Sequence, residues 1–420
     1  MDVIKNTMDV YYAIKDLEAQ FQPRHPLGLD RRGMPIYPIK GAELGYNTQG
    51  DLVTVTSDGR DLNAMWAEFQ ATLAIWNERR QQLIDLLTFP VVNLIEDVPQ
   101  VGETEFEMAT EFGVPVGSRV GLTYFSLGYD FKDYDHAVRY TWKFLRDADA
   151  RQVEAIHQSI LNADNRLVFR KVMEAIFDNR NRSADIRQQN VPVYALYNGD
   201  GTVPPTYKNN TFSGSHNHYM VSGANGITPE DFEDAYENIA EHGFGIENGT
   251  QIVCMAPRAI VKEIQKWRVG DEFGPVGAET VANYDFIPSP AQPTIVVPNS
   301  EGLLGDRPPD TWRGFQVRGS YMDVLVIEED YIPGGYFLMF GTGGAGNLQN
   351  LVGLREHANA AYRGLRLLPG NNQRYPLVDS YYSRGFGTGM RQRGGAVVMQ
   401  IKASGTYDIP QQYKRGGGLS

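Results

Sequence analysis

The sequence contains one cysteine, Cys254, in 420 residues. A lone thiol closes no intrachain disulfide, and its setting in Gln251-Ile-Val-Cys-Met-Ala256 reads as a buried strand of a protein made in a reducing cytoplasm. No apolar run approaches the roughly 18 to 20 residues that cross a bilayer. The nearest candidates, residues 336–340 and 396–399, are of strand length, so no membrane partner is expected. The first twenty residues carry Asp2, Lys5, Asp9, Lys15, Asp16 and Glu18 and hold no apolar core of a secretory signal. Basic side chains number 39 against 51 acidic ones, and the net charge of −12 disfavours a general polyanion binder. The Gly-x-Ser-x-Gly elbow, the Walker A loop, His-Glu-x-x-His and paired cysteines are all missing, which removes the commonest hydrolase, nucleotidase and zinc-enzyme readings.

What is present is globular: 42% apolar and 21% charged residues, in a length that predicts two or three compact units. A weakly amphipathic start meets Pro23, Pro26, Pro35 and Pro38, a density that favours an extended arm because each proline fixes φ and keeps its predecessor out of the helix. A short strand over residues 52–56 precedes a helix over about 61–87, capped by Ser57, Asp58 or Asp61, with Leu62, Met65, Trp66, Phe69, Leu73, Trp76, Leu83 and Leu87 on one face. An apolar strand follows over residues 89–98. Glycines and aromatics over residues 100–131 then predict a long β excursion turning near 113–118. Residues 149–177 form a predicted helix about 43 Å long at 1.5 Å per residue, a spine rather than an ordinary globular helix. Short strands are expected over 190–219, and Thr228-Pro-Glu-Asp231 opens a helix ending near Gly243. The Cys254 strand, a helix over 257–267, a long loop over 271–312, strands at 321–327 and 335–340, a helix at 348–365 and a hairpin at 395–409 complete the reading.

Three constellations carry chemistry. Gly341-Thr-Gly-Gly-Ala-Gly346 matches the dinucleotide fingerprint after a strand and before the expected helix, but the first later aspartate is Asp379, too far on to meet a ribose. His216 and His218 share one face of a strand and could be half of a metal site with a distant ligand such as His242 or His357. Two ligands are not a site, and hydrogen bonding at a surface turn explains them equally, so no metal is assigned. From Gly346 onward ten basic residues face three acidic ones, net +7, leaving −19 on the first 345 residues. Such an asymmetry fits contact between copies of the chain; the rivals are plain solvated surface, or nucleic acid stacked on Tyr381, Tyr382 and Phe386 beside Arg384, Arg391 and Arg393.

The order of pieces, together with Tyr381-Tyr-Ser-Arg-Gly-Phe-Gly-Thr-Gly-Met-Arg-Gln-Arg-Gly-Gly-Ala-Val-Val-Met-Gln-Ile-Lys-Ala-Ser-Gly-Thr-Tyr407 and Ser215-His-Asn-His-Tyr-Met-Val-Ser-Gly223, resembles the major capsid proteins of tailed double-stranded DNA bacteriophages, closest in wording to phages of actinobacteria. The resemblance implies an α+β fold shared with encapsulins. It places an N-terminal arm at 1–60, the start of the peripheral domain at 61–99, the extended loop at 100–131, the peripheral domain at 132–219 with a spine helix at 149–178, an axial domain at 220–385 and return strands at 386–420. It further implies hexamers and pentamers in an icosahedral head, a virion location after assembly in the host cytoplasm, no cofactor and no turnover. Scaffolding, portal and decoration proteins are possible partners, and packaged DNA is held non-specifically. Candidate inter-subunit contacts are Phe106, Phe112, Arg119, Tyr124 and Phe125 on the loop, with Arg384, Arg391 and Arg393. An encapsulin-type compartment and, from another class, a dinucleotide-dependent oxidoreductase using Gly341, Gly343 and Gly346 stand as alternatives.

Some relatives weld subunits by an isopeptide bond from a loop lysine to a neighbour's asparagine. Here no lysine lies between Lys40 and Lys132, so the loop lacks that nucleophile; the short start suggests a separate scaffold or none. Mature particles on denaturing gels should therefore run as a 47.0 kDa monomer, and ladders far above it would refute this.

Overall fold

The computed structural model describes residues 28–29, 35–36, 55–78, 82–101, 122–186, 189–290, 308–369 and 377–416. The early elements are β1 (Gly28–Leu29), β2 (Pro35–Ile36), α1 (Leu62–Glu78), α2 (Gln82–Leu87), β3 (Thr88–Val91), β4 (Ile95–Val101), β5 (Leu122–Gly128), β6 (Lys132–Thr141), α3 (Trp142–Asp147) and α4 (Ala150–Phe177). There follow β7 (Arg182–Ile186), β8 (Gln189–Val193), β9 (Tyr219–Val221), α5 (Pro229–Ala240), β10 (Gln251–Ala256), α6 (Arg258–Ile264), β11 (Glu272–Phe273), β12 (Thr280–Val281) and β13 (Ile287–Pro288). The chain continues through β14 (Thr311–Trp312), β15 (Phe315–Tyr321), β16 (Val324–Glu328), β17 (Tyr336–Thr342), β18 (Val352–Glu356), β19 (Arg366–Pro369), β20 (Leu377–Met390) and β21 (Ala396–Gln400). It divides into two units: residues 1–78, 135–163 and 365–383, and residues 79–134, 164–364 and 384–420.

The first unit is built on α1. Asp61 is its cap, with Oδ1 accepting from the amides of Asn63 (2.7 Å) and Ala64 (3.2 Å). Leu62, Met65, Phe69 and Leu73 recur at helical spacing and are buried with Val153, Ile160 and Leu161 of α4, Leu365, Leu367 and Tyr382. Asn77 holds the 365 backbone at both poles, its Nδ2 donating to Leu365 O (3.0 Å) and its Oδ1 accepting from Leu365 N (2.8 Å). His157 is enclosed in this core, its ring stacked 4.0 Å from Phe69 and its Nδ1 2.8 Å from the Tyr382 hydroxyl.

The second unit centres on a mixed sheet of order β13-β15-β16-β10-β17-β21-β9, with β14 on β15. β10 runs parallel to β16 and antiparallel to β17, and β21 runs antiparallel to β17 and parallel to β9. Every residue of β17 and β21 is buried. Their side chains alternate between two cores, as the strand period of two requires. Val253, Met255, Leu338, Phe340, Ala396 and Val398 meet Val168, Phe169, Val172, Met173, Ile176 and Phe177 of α4. Ile252, Cys254, Phe337, Met339, Val397 and Met399 meet Phe232, Ala235 and Ile239 of α5 and Ile260, Val261, Ile264 and Trp267. α5 starts in a capping box: Asp231 N donates to Thr228 Oγ1 (3.2 Å) and Thr228 N donates to Asp231 Oδ2 (2.9 Å).

The spine and the capped helix agree with the sequence reading, within a residue or three at their ends. Four assignments are corrected. Residues 348–365 are not a helix: they hold β18 and a 3-10 turn at Ala360–Tyr362, because β18 is taken up as a strand between β3 (parallel) and β20 (antiparallel). Residues 395–409 are not a hairpin; β21 finds its partners in β17 and β9. The strand expected at 321–327 is the hairpin of β15 and β16. The expected apolar strand over 89–98 is interrupted, β3 ending at Val91 and β4 beginning at Ile95, and the fourteen-residue β20 begins at Leu377, ahead of the return strands expected from 386. The expected strand over 52–56 lies mostly outside the described residues.

Phe337, fully buried with its ring 6.0 Å from that of Phe232 on α5, should cost about 3–5 kcal/mol when changed to Ala, read as a lower urea midpoint at unchanged slope. Burial pushes the His157 imidazole down to about 4, so the unfolded chain binds the extra proton between that value and about 6.5. Stability from this group is whole above about pH 6.5 and falls as the pH drops towards 4, by up to about 3 kcal/mol. The wild type minus His157→Gln difference in unfolding free energy should shrink across that window; a pH-independent difference would contradict it.

Candidate assembly surfaces

β4 and β5 pair antiparallel from Ile95↔Gly128 to Val101↔Leu122 and form a two-stranded sheet of their own. Residues 102–121, with Phe106, Phe112 and Arg119, lie outside the described residues. The base of the ribbon is fixed. A Cβ on Gly128 would come within 2.3 Å of Val191 Cγ1 and 2.7 Å of Pro192 O, so only glycine permits this approach to β8. The Phe125 ring lies 4.8 Å from that of Tyr194, and the Tyr129 hydroxyl donates to Glu96 (2.7 Å). Further out, Tyr124 is 65% exposed. Of the loop residues singled out from the sequence, Tyr124 faces solvent and Phe125 faces its own chain.

The three late arginines make their ion pairs within the chain. Arg384 Nη1 contacts Asp164, both side chains being nearly buried. Arg391 Nε donates to Glu96 Oε1 (2.9 Å) beneath the ribbon, and its guanidinium lies over the Phe89 ring. Arg393 is buried between Tyr194 and Tyr197, donating to Asp200 Oδ2 (2.7 Å) and Ala195 O (2.9 Å). Arg384, Arg391 and Arg393 thus each meet a carboxylate of the same subunit. Removing one partner of such a buried pair strands the other charge at a cost of about 3–5 kcal/mol. Of the aromatics named beside them, Tyr382 and Phe386 are buried and Tyr381 is exposed, so two of the three offer no face for a base to stack on.

The glycine loop at 341–346 is filled by protein. The buried Asn350 donates through Nδ2 to Gly344 O (2.8 Å), Thr88 O (2.9 Å) and Asp85 O (3.1 Å), and its Oδ1 accepts from Thr342 Oγ1 (2.9 Å) and Gly343 N (3.2 Å). Gly344 N donates to Thr342 Oγ1 (3.1 Å) and Gly346 N to Asp85 O (2.9 Å). The amides that would cradle a pyrophosphate are occupied, and a strand follows where the fingerprint needs a helix.

The histidines behave differently from the two-ligand reading. His216, His218 and His242 converge, their Nε2 atoms separated by 3.0 Å (216–218), 2.9 Å (216–242) and 3.1 Å (218–242). His242 comes from just beyond the end of α5, 24 residues past His218, a meeting no local spacing announces. His357 is elsewhere, exposed and bonded to Asn359.

An α+β chain with the end of a long helix packed on one face of a mixed sheet, and a separate two-stranded β-ribbon, has the fold of the shell-forming proteins shared by tailed-phage heads and encapsulins. A solved structure from Mycobacterium phage Patience is 55% identical to the chain, covering 88% of it and 96% of its own length, with a TM-score of 0.72. The chain belongs to the major capsid proteins of tailed double-stranded DNA bacteriophages, in company with the actinobacterial phages; it is a structural protein of the virion. Looser likenesses are the capsid of cyanophage P-SCSP1u (10% identity, 77% of this chain and 88% of that one, TM-score 0.46) and an encapsulin complex from Synechococcus elongatus PCC 7942 (13%, 78% and 90%, 0.39). No protein-family model and no curated protein matches the chain.

Proposed function

We propose that the subunit assembles as hexamers and pentamers into an icosahedral head around double-stranded DNA, with the ribbon lying over a neighbouring subunit and the arm at 1–60 stapling across it. The observation that carries this reading is the ribbon: two strands paired with each other, pinned at the base by Gly128 and Phe125 and carrying the exposed Tyr124 outward. Such a ribbon is marginal in water alone and gains stability when a second surface covers it. In this reading 61–99 and 132–219 with its spine form the peripheral domain, 220–385 the axial domain, and 386–420 returns to close the subunit. Portal, scaffolding and decoration proteins are separate chains. Contact with the packaged DNA is non-specific, consistent with a chain of net charge −12 whose Arg384, Arg391 and Arg393 are engaged internally.

Electron microscopy of the purified protein should show closed particles with five- and six-fold capsomers, and a small discrete oligomer under all assembly conditions would overturn the proposal. Deleting residues 102–121, or Tyr124→Asp, should leave soluble folded subunits by circular dichroism while abolishing closed particles. Unimpaired shells from both variants would remove the ribbon from the assembly mechanism. Particles recovered from infected cells with protein cargo and no nuclease-protected DNA would favour the encapsulin-type alternative.

A further inference from the structure

His218 is fully buried, and its Nδ1 lies 2.7 Å from Ala396 O. A carbonyl only accepts, so Nδ1 carries the proton and Nε2 presents a lone pair to the two other imidazoles. Each ring nitrogen is either a donor or an acceptor along a single axis. Three Nε2 atoms that all lie 2.9–3.1 Å apart therefore have no protonation pattern that turns every contact into a hydrogen bond. An ion capping the triangle from just outside its plane satisfies all three lone pairs at once. The triangle also has the right size, since metal–imidazole bonds of about 2.0–2.1 Å give N···N edges of about 2.9–3.4 Å between octahedral and tetrahedral angles.

The surroundings hold the rings in place. Phe212 stacks on His242 (4.3 Å between centroids, 18° between planes) and lies 4.9 Å from His216, while Tyr197 lies nearly parallel to His242 at 5.8 Å. A Cβ on Gly394 would sit 2.6 Å from His242 Cγ, so the missing side chain there makes room for the imidazole. The backbone of His218 is tied on both sides, its amide to Tyr197 O (2.7 Å) and its carbonyl to Val398 N (3.0 Å). The carbonyl that fixes the His218 tautomer is the kind of outer partner that orients a metal-bound histidine. The nearby Arg393 charge opposes a cation, but Asp200 pairs with it at 2.7 Å. A cleft of about 230 Å³ lined by His242, Tyr197, Tyr207, Phe244 and Arg391 adjoins the cluster and leaves space for a water ligand.

We propose that His216, His218 and His242 bind one nitrogen-preferring divalent transition-metal ion, Zn²⁺ or its analogues Co²⁺ and Ni²⁺, per subunit. All-imidazole donors select this class over Ca²⁺ and Mg²⁺, which take oxygen. The ion's role is structural: it ties the loop before β9 to the end of α5 and, through the Ala396 carbonyl, to β21.

The test uses untagged full-length protein, loaded with Zn²⁺ and exhaustively dialysed, with metal measured by inductively coupled plasma mass spectrometry. About one equivalent of zinc per chain is expected. Co²⁺ loading should give a visible d–d absorption band, and chelation by dipicolinate should lower the melting temperature. His242→Gln should lose the equivalent and the band. The half-buried His216→Gln should do the same, and it serves if the first variant misfolds. Zinc at background in the loaded wild type, or equal zinc in wild type and His216→Gln, would overturn the proposal.

Discussion

The subunit is organised by a sheet that is apolar on both faces. β10, β17 and β21 carry large hydrophobic residues at nearly every position, so neither face tolerates water and each must be covered by a separate layer. The end of α4 covers one face and α5 with α6 the other, which is why a 28-residue helix from the first half of the chain and two short helices from its middle enclose the same strands. At about 25 cal/mol per Å² of apolar surface removed from water, this packing is the dominant favourable contribution to folding. Elements outside it, the ribbon above all, obtain no such cover from this sheet.

Polar groups taken into the interior follow a second rule: they arrive with partners. Asn350 satisfies a glycine loop that would otherwise leave buried backbone groups unpaired, and this removes the loop from any role in holding a nucleotide. Arg384, Arg391 and Arg393 bring their carboxylates with them, from Asp164, Glu96 and Asp200. The basic C-terminal stretch therefore fastens late strands to early segments of the same subunit.

Much of the local structure was legible. The spacing of Val153, Ile160, Val168, Val172 and Ile176 marks one long helix, and Thr228-Pro-Glu-Asp231 marks a helix start, because both signals depend on residues within a turn or two of each other. Residues 348–365 misled because Leu351, Leu354 and Leu365 fall at near-helical spacing, yet Val352 to Glu356 is drawn into a sheet by β3 and β20, tertiary pairing outweighing weak helical propensity. β20 carries Gly385, Gly387 and Gly389, residues that weaken a strand signal. Those glycines are where Phe131, Asp130 and Tyr129 press against the strand, closer than any side chain would allow.

The sequence by itself determined where the long helix runs, which strands are buried, and that no thiol pair or bilayer-spanning run is present. These are properties of composition and of contacts only a few residues apart. Only the tertiary structure decided that His242 joins His216 and His218, that Asn350 fills the glycine loop, and which carboxylate each late arginine meets. Those partners lie up to about 300 residues away along the chain, and their meeting is set by strand order and register in the folded sheet, which no local period encodes.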